Sequence, residues 1–146
     1  MTYPEAFVRE TIERLTVPFQ IDNSVEANQR LLQSLYHVWT PDLRIQDPDG
    51  AELYRWNGFL PPAEFAPQLI VAVAHARLRR KEYDEARELY EEVMVRFPTA
   101  LSAPEAQYFI GVSSYRRSHE GGDLLKGWHE LEKRFPGSEW TVKQNF

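Results

Sequence analysis

Two copies of one short pattern govern the C-terminal half of this 146-residue chain. Residues 93–98 read Val-Met-Val-Arg-Phe-Pro and residues 131–136 read Leu-Glu-Lys-Arg-Phe-Pro, so Arg96-Phe97-Pro98 returns as Arg134-Phe135-Pro136 after 38 residues. At the same offset Tyr90 meets Trp128 and Ala86 meets Leu124. A fixed period of this length is the mark of stacked supersecondary units, each too small to bury its own apolar face. The proline fits the end of a helix, because the residue before it is pushed out of the helical region.

The local patterns agree. From Ala63 the apolar residues Phe65, Leu69, Ile70, Val73, Ala74 and Leu78 recur at helical spacing, after a Pro62 suited to a first turn. Pro67 lies early enough in that helix to be tolerated. Residues 83–97 predict a second helix with Ala86, Leu89, Tyr90 and Val93 on one face. Ser102 is placed to cap a third helix over 103–118, which Gly121-Gly122 should break. Asp123 is placed to cap a fourth over 124–135, and Ser138 a short last one over 139–144.

On these residues the chain resembles the tetratricopeptide repeat, a helix–turn–helix unit. The pattern falls on Ala74, Ala86, Tyr90, Val93 and Pro98 in the first unit, and on Tyr108, Gly111, Tyr115, Leu124, Trp128 and Pro136 in the second. Leu124 stands where the family usually has a small residue, and the period exceeds the family's usual length of about 34. The resemblance covers roughly residues 66–144. It implies a concave face lined by the first helix of each pair, with Gln68, His75, Arg79, Arg116 and Arg117 directed outward as binding residues.

The N-terminal part reads differently. Residues 4–15 predict a helix, 17–22 a short strand with Pro18 near its start, and 25–35 a helix capped by Ser24. Leu43 and Ile45 alternate with Arg44 and Gln46, Asp47-Pro48-Asp49-Gly50 is a strong turn, and a second strand follows over 52–56. These strands predict an antiparallel hairpin. The order of elements, the Trp39-Thr40-Pro41 step directly before the hairpin, and the Gly58-Phe59-Leu60-Pro61-Pro62 run after it resemble the later part of a thioredoxin fold. By that resemblance Thr40-Pro41 is a cis bond in the loop that faces the family's redox motif. The family's Cys-x-x-Cys would precede the first helix, and the chain has no cysteine. Thiol–disulfide exchange needs a thiolate, so redox activity of this chain by itself is excluded. The resemblance also implies a missing strand between 17–22 and the hairpin. Either 17–22 slides across to pair with the hairpin, or another chain fills the gap at an open edge.

The expected class is therefore α+β: a truncated thioredoxin-like strand and hairpin unit over 1–62, and a mostly helical tetratricopeptide-like region over 63–146. The net charge of −5 argues against a nucleic-acid partner. Residues 1–15 carry charges throughout and show no leader-like apolar run, and no stretch has the length of a membrane span, so direct membrane insertion is not expected and a cytoplasmic location is. Four scattered histidines (His37, His75, His119, His129) lack metal-ligand spacing, and Ser113 and Ser114 lack a nucleophile elbow. No cofactor, metal or catalytic residue is expected.

The expected role is non-catalytic: a protein-binding or assembly subunit of a larger complex, using the concave face and the open sheet edge. Trp39, Tyr54, Trp56 and Phe59 are possible aromatic anchors, with burial in the sheet core the expectation for Trp39 and Phe59. Two other readings stay open. One is the C-terminal fragment of a thioredoxin-like oxidoreductase with its Cys-x-x-Cys upstream. The other is a peptide-binding adaptor using Arg79, Arg116 and Arg117 as a carboxylate clamp.

Overall fold

The computed structural model describes residues 5–144. The chain is α+β, with seven helices and one two-stranded antiparallel sheet among the described residues. Helix α1 (Ala6–Leu15) turns Val8 and Thr11 inward, and Leu15 packs at its end against the shared core. The polypeptide then leaves the helix at Thr16 in extended conformation.

The strand expected over 17–22 does not form. Val17 is 96% and Phe19 83% exposed, and the one sheet among the described residues joins two other segments. An extended segment becomes a strand only by hydrogen bonding to a neighbour, and none is beside it. The helix expected over 25–35 also starts later: a 3-10 turn at Glu26–Asn28 leads into α2 (Gln29–Ser34). Ser24 does not cap it. Its N–H and hydroxyl both donate to Asp22 Oδ1, at 2.8 and 2.7 Å, making a local turn instead.

Strands β1 (Asp42–Gln46) and β2 (Glu52–Asn57) pair antiparallel, with Leu43 opposite Trp56, Arg44 opposite Arg55 and Ile45 opposite Tyr54. The Asp47-Pro48-Asp49-Gly50 turn closes as its residue types demand. Gly50 takes φ 88°, its N–H donates to the Asp47 carbonyl at 2.8 Å, and Asp49 Oδ1 accepts from the Ala51 N–H.

Four longer helices follow: α3 (Pro62–Arg79), α4 (Tyr83–Arg96), α5 (Ala103–Ser118) and α6 (Gly121–Arg134), then a short α7 (Glu139–Lys143). Each of α3 to α6 packs on the next. The sequence repeat is a structural repeat. Phe97 and Phe135 end α4 and α6 with nearly the same backbone angles (φ −135°, ψ 51° and φ −137°, ψ 56°). Their N–H groups donate to Val93 and Leu131, both fully buried, at 2.8 Å each. Arg96 and Arg134 lie over the rings of Phe97 and Phe135.

Two capping expectations change. Ser102 precedes α5 but its side chain makes no cap bond. The break before α6 falls at His119, in left-handed conformation, whereas Gly121 and Gly122 open α6 and place Asp123 within its first turn. Ser138 caps α7 as expected, accepting from the Thr141 N–H at 3.1 Å. Nor is Leu124 the close-contact position of the second unit. A Cβ on Gly127 would lie 2.4 Å from Gly111 Cα, so α5 and α6 cross glycine on glycine.

Helix α3 is the axis of the molecule. One cluster (Phe65, Ala66, Leu69, Val73) joins it to α1 and the hairpin; another (Ile70, Val71, Ala74) joins it to α4 and α5. A division at residue 62 therefore separates the hairpin from the helix that covers its apolar side.

Candidate protein-binding surface

The hairpin is two-faced because its residues alternate. Leu43, Ile45 and Trp56 pack toward α1 and α3. Tyr54, on the same side of the sheet, stacks on His75 of α3 with ring centroids 5.1 Å apart. The opposite face is charged. Asp42 accepts from Arg44 at 2.7 and 3.1 Å, from Arg55 at 3.0 Å, and lies 3.2 Å from His37 Nδ1. Arg44 also reaches Glu52 at 2.9 Å. Burial pushes the Asp42 carboxyl up, but the Arg44 and His37 hydrogen bonds and the two guanidinium charges outweigh it and hold the group below its ordinary value. Asp47 at the turn pairs with Arg80 at the end of α3, which pins the far end of the hairpin.

The inner face ends in a polar hub. His75 Nε2 lies 2.8 Å from Glu105 Oε1 of α5, and Nδ1 lies 3.0 Å from the Tyr90 hydroxyl of α4. A carboxylate only accepts, so Nε2–H donates to it, and in the neutral ring Nδ1 accepts from Tyr90. Phe109 meets His75 edge-on at 4.3 Å, and Gln68 donates to the Tyr54 hydroxyl at 3.2 Å. Burial, then the Glu105 charge, pushes the Tyr54 phenol up to about 12 and raises Tyr90 as well. The hub ties β2 to three helices.

These contacts relocate the binding residues expected from sequence. His75 is buried and Gln68 half-buried under the hairpin, so neither faces outward. The hairpin itself fills the groove that the first helices were expected to offer. Of the four aromatic anchors expected, Tyr54 and Trp56 are half-buried hairpin residues, and the exposed pair is Trp39 (69%) and Phe59 (66%), the two expected to be buried. Both lie outside the strands, on the segments that enter β1 and leave β2, whereas Tyr54 and Trp56 take the places against His75 and Phe65 of α3. Arg116 reaches the Tyr83 hydroxyl and ring, and Arg117 pairs with Asp84 at 3.0 Å, so both are held against the start of α4. Arg79 is exposed and makes no ion pair among the described residues. The Thr40-Pro41 bond is cis, and Thr40 Oγ1 accepts from Asn23 at 2.9 Å.

Two further features define the surface. The first is an exposed apolar group in the N-terminal part: Val17, Phe19, Tyr36, Val38, Trp39 and Phe59. The second is the free edge of β1. The Gly58 N–H donates to the Pro41 carbonyl at 2.9 Å, which sets the alternation of the ladder. Leu43 and Ile45 then face β2 with their N–H and C=O groups, while those of Asp42 and Arg44 point away from it. Among the described residues no backbone group bonds to that outer side.

Glu105, His75 and Tyr90 are ordered like a proton relay, but Tyr90 is fully buried and lines neither of the two grooves described next. A groove of about 320 Å³ lies elsewhere, floored by Leu15, Val73 and Leu89 and rimmed by Arg14, Arg77 and Glu92. A second depression is lined, among the described residues, by α1, including Arg9, Glu10 and Glu13. No group of three or more potential metal ligands occurs among the described residues, and no described helix is long and apolar enough to cross a membrane. No protein-family model matches the chain, and a search of curated proteins finds no match.

Proposed function

We propose that this chain is a non-catalytic protein-binding subunit that takes up an extended segment along the free edge of β1, beside the exposed side chains of Val38, Trp39 and Phe59. The observation that carries this reading is the unpaired outer row of Asp42 and Arg44 backbone groups on a hairpin rigidly held from its other side. A bare edge of this kind is a template for strand addition, with main-chain bonds for affinity and alternate side chains for selection. The expected groove over α3 does not serve, since Tyr54 fills it. The reading keeps the N-terminal part as a thioredoxin-like remnant without its redox motif and the C-terminal part as tetratricopeptide-like hairpins. The exposed, unpaired 17–22 segment and the bare β1 edge are in keeping with a strand that some other polypeptide supplies.

Arg44→Pro tests it. The Arg44 N–H points outward, so proline there removes no backbone bond to β2 and suits an edge strand, whereas Arg44→Ala loses the same side-chain bonds and keeps the edge donor. Tagged protein is used to capture partners from the source cells, with circular dichroism establishing that both variants fold. The proposal expects a partner retained by Arg44→Ala and lost by Arg44→Pro. Partners held equally by both variants, or turnover of a substrate traced to side chains of this chain, would refute it.

A further inference from the structure

We infer that the segment taken up by β1 is the β1 strand of a second copy of this chain, paired antiparallel about a two-fold axis through Leu43. The inference rests on β1 being the docking edge and goes on to name its occupant.

The charge pattern selects the register. The residues that offer outward N–H and C=O groups are Asp42 and Arg44, and hydrogen-bonded partners across a new antiparallel seam must come from this set on both copies. With Leu43 on the axis, Asp42 of each copy exchanges hydrogen bonds with Arg44 of the other. Asp42 and Arg44, which pair within each chain, then also face the opposite charge of the other copy on the charged side of the sheet, which favours the pairing. Centring the axis on Arg44 would set arginine against arginine, so that register is selected against.

The other features of the strand fit the same seam. Leu43 meets Leu43 on the inner side, next to the apolar cluster that already holds it. Pro41, which has no N–H, turns its carbonyl to Gly58 and is not asked to donate outward. The result is a four-stranded sheet in the order β2-β1-β1-β2, with Trp39 and Val38 at the margins of the new contact.

The outer edge of β2 has no such self-complementarity. Along its regular part, before the bulge, the outward residues Arg55 and Asn57 carry no acidic side chain, and centring on Arg55 again opposes like charges. A closed two-fold pairing also leaves no β1 edge free for further growth.

Because the chain contains no cysteine, a single introduced thiol reports the register without background. Leu43 and its copy would form a non-hydrogen-bonded pair with Cα atoms about 4.5 Å apart, within disulfide range. Leu43→Cys should give a disulfide-linked dimer under mild oxidation, and Ile45→Cys, which faces Pro41 of the second copy, should not. Light scattering of the unmodified chain should show the mass doubling between low micromolar and millimolar protein. Arg44→Pro should remain a monomer throughout.

An unmodified chain that is monomeric at every concentration overturns the inference, as does a dimer that survives Arg44→Pro. These two measurements decide the matter even if the cysteine variants fail to fold. A monomer that still captures another protein through an Arg44→Pro-sensitive contact overturns the second copy alone. A monomer with no such contact overturns the docking edge as well.

Discussion

Replacing His75 by alanine removes the ring on which the hairpin rests. Besides the bond to Glu105, three losses can be given a magnitude. The Tyr90 hydroxyl, in a fully buried residue, loses the partner 3.0 Å away, which costs about 1–3 kcal/mol. The stacked contact with Tyr54 and the edge contact with Phe109 are worth about 0.5–1.5 kcal/mol each. The total is about 2–6 kcal/mol, a large part of the 5–15 kcal/mol that folded domains usually have. Adding Tyr90→Phe removes the orphaned hydroxyl, so the double variant should recover about 1–2 kcal/mol relative to His75→Ala alone. Tyr90→Phe by itself should destabilise, because His75 then lacks its donor. Urea denaturation followed by circular dichroism measures all three, and amide exchange across β2 should rise in His75→Ala before the helices open. A cost below about 1 kcal/mol for His75→Ala, outside the range of a lost buried partner, would refute the hub. So would a Tyr90→Phe change that adds to the loss.

Gly127→Ala brings a Cβ to 2.4 Å from Gly111 Cα and should destabilise by about 1–2 kcal/mol, an overpacking cost partly offset by alanine's helix propensity. Gly122→Ala, in the same helix with nothing within 4 Å, should be neutral or slightly stabilising, and thermal midpoints that reverse this order would contradict the glycine crossing. Asp42→Asn tests the charged face by its pH dependence. A carboxyl held below its ordinary value contributes stability above that value and loses it as pH falls through the lowered one. The gap in urea midpoint between the unmodified chain and Asp42→Asn should thus be widest near neutrality and close below pH 3.8; a constant gap would mean that the Asp42 charge does not hold the hairpin.

The elements legible from sequence were those specified locally. The Arg-Phe-Pro repeat marked two helix ends that take the same backbone angles, and the Asp-Pro-Asp-Gly turn with alternating neighbours marked the hairpin. What failed depends on contacts made far along the chain. Val17, Phe19 and Ile21 alternate like a strand, but pairing needs a neighbour that this chain does not place there. The outward side of α3 was unreadable from its period, because residues 69–76 are small or apolar on nearly every side and the helix is buried all round. That continuous run was itself the signal that His75 would be covered. Aligning the repeats put Leu124 opposite Ala86, whereas the crossing uses Gly127, one turn further on; a glycine in mid-helix was the available clue. The open edge was expected beside the hairpin, but which β1 residues turn their backbone groups outward could be read only from the Gly58 bond to Pro41.

Residue-resolved amide exchange by NMR tests the docking edge most directly. In the dilute monomer Leu43 and Ile45 should be protected by β2 while Asp42 and Arg44 exchange rapidly, and both outward amides should become protected once the edge is filled. Protection of Asp42 and Arg44 in the isolated monomer, or their continued rapid exchange in the assembled state, would contradict the claim that this edge is where the chain holds its partner.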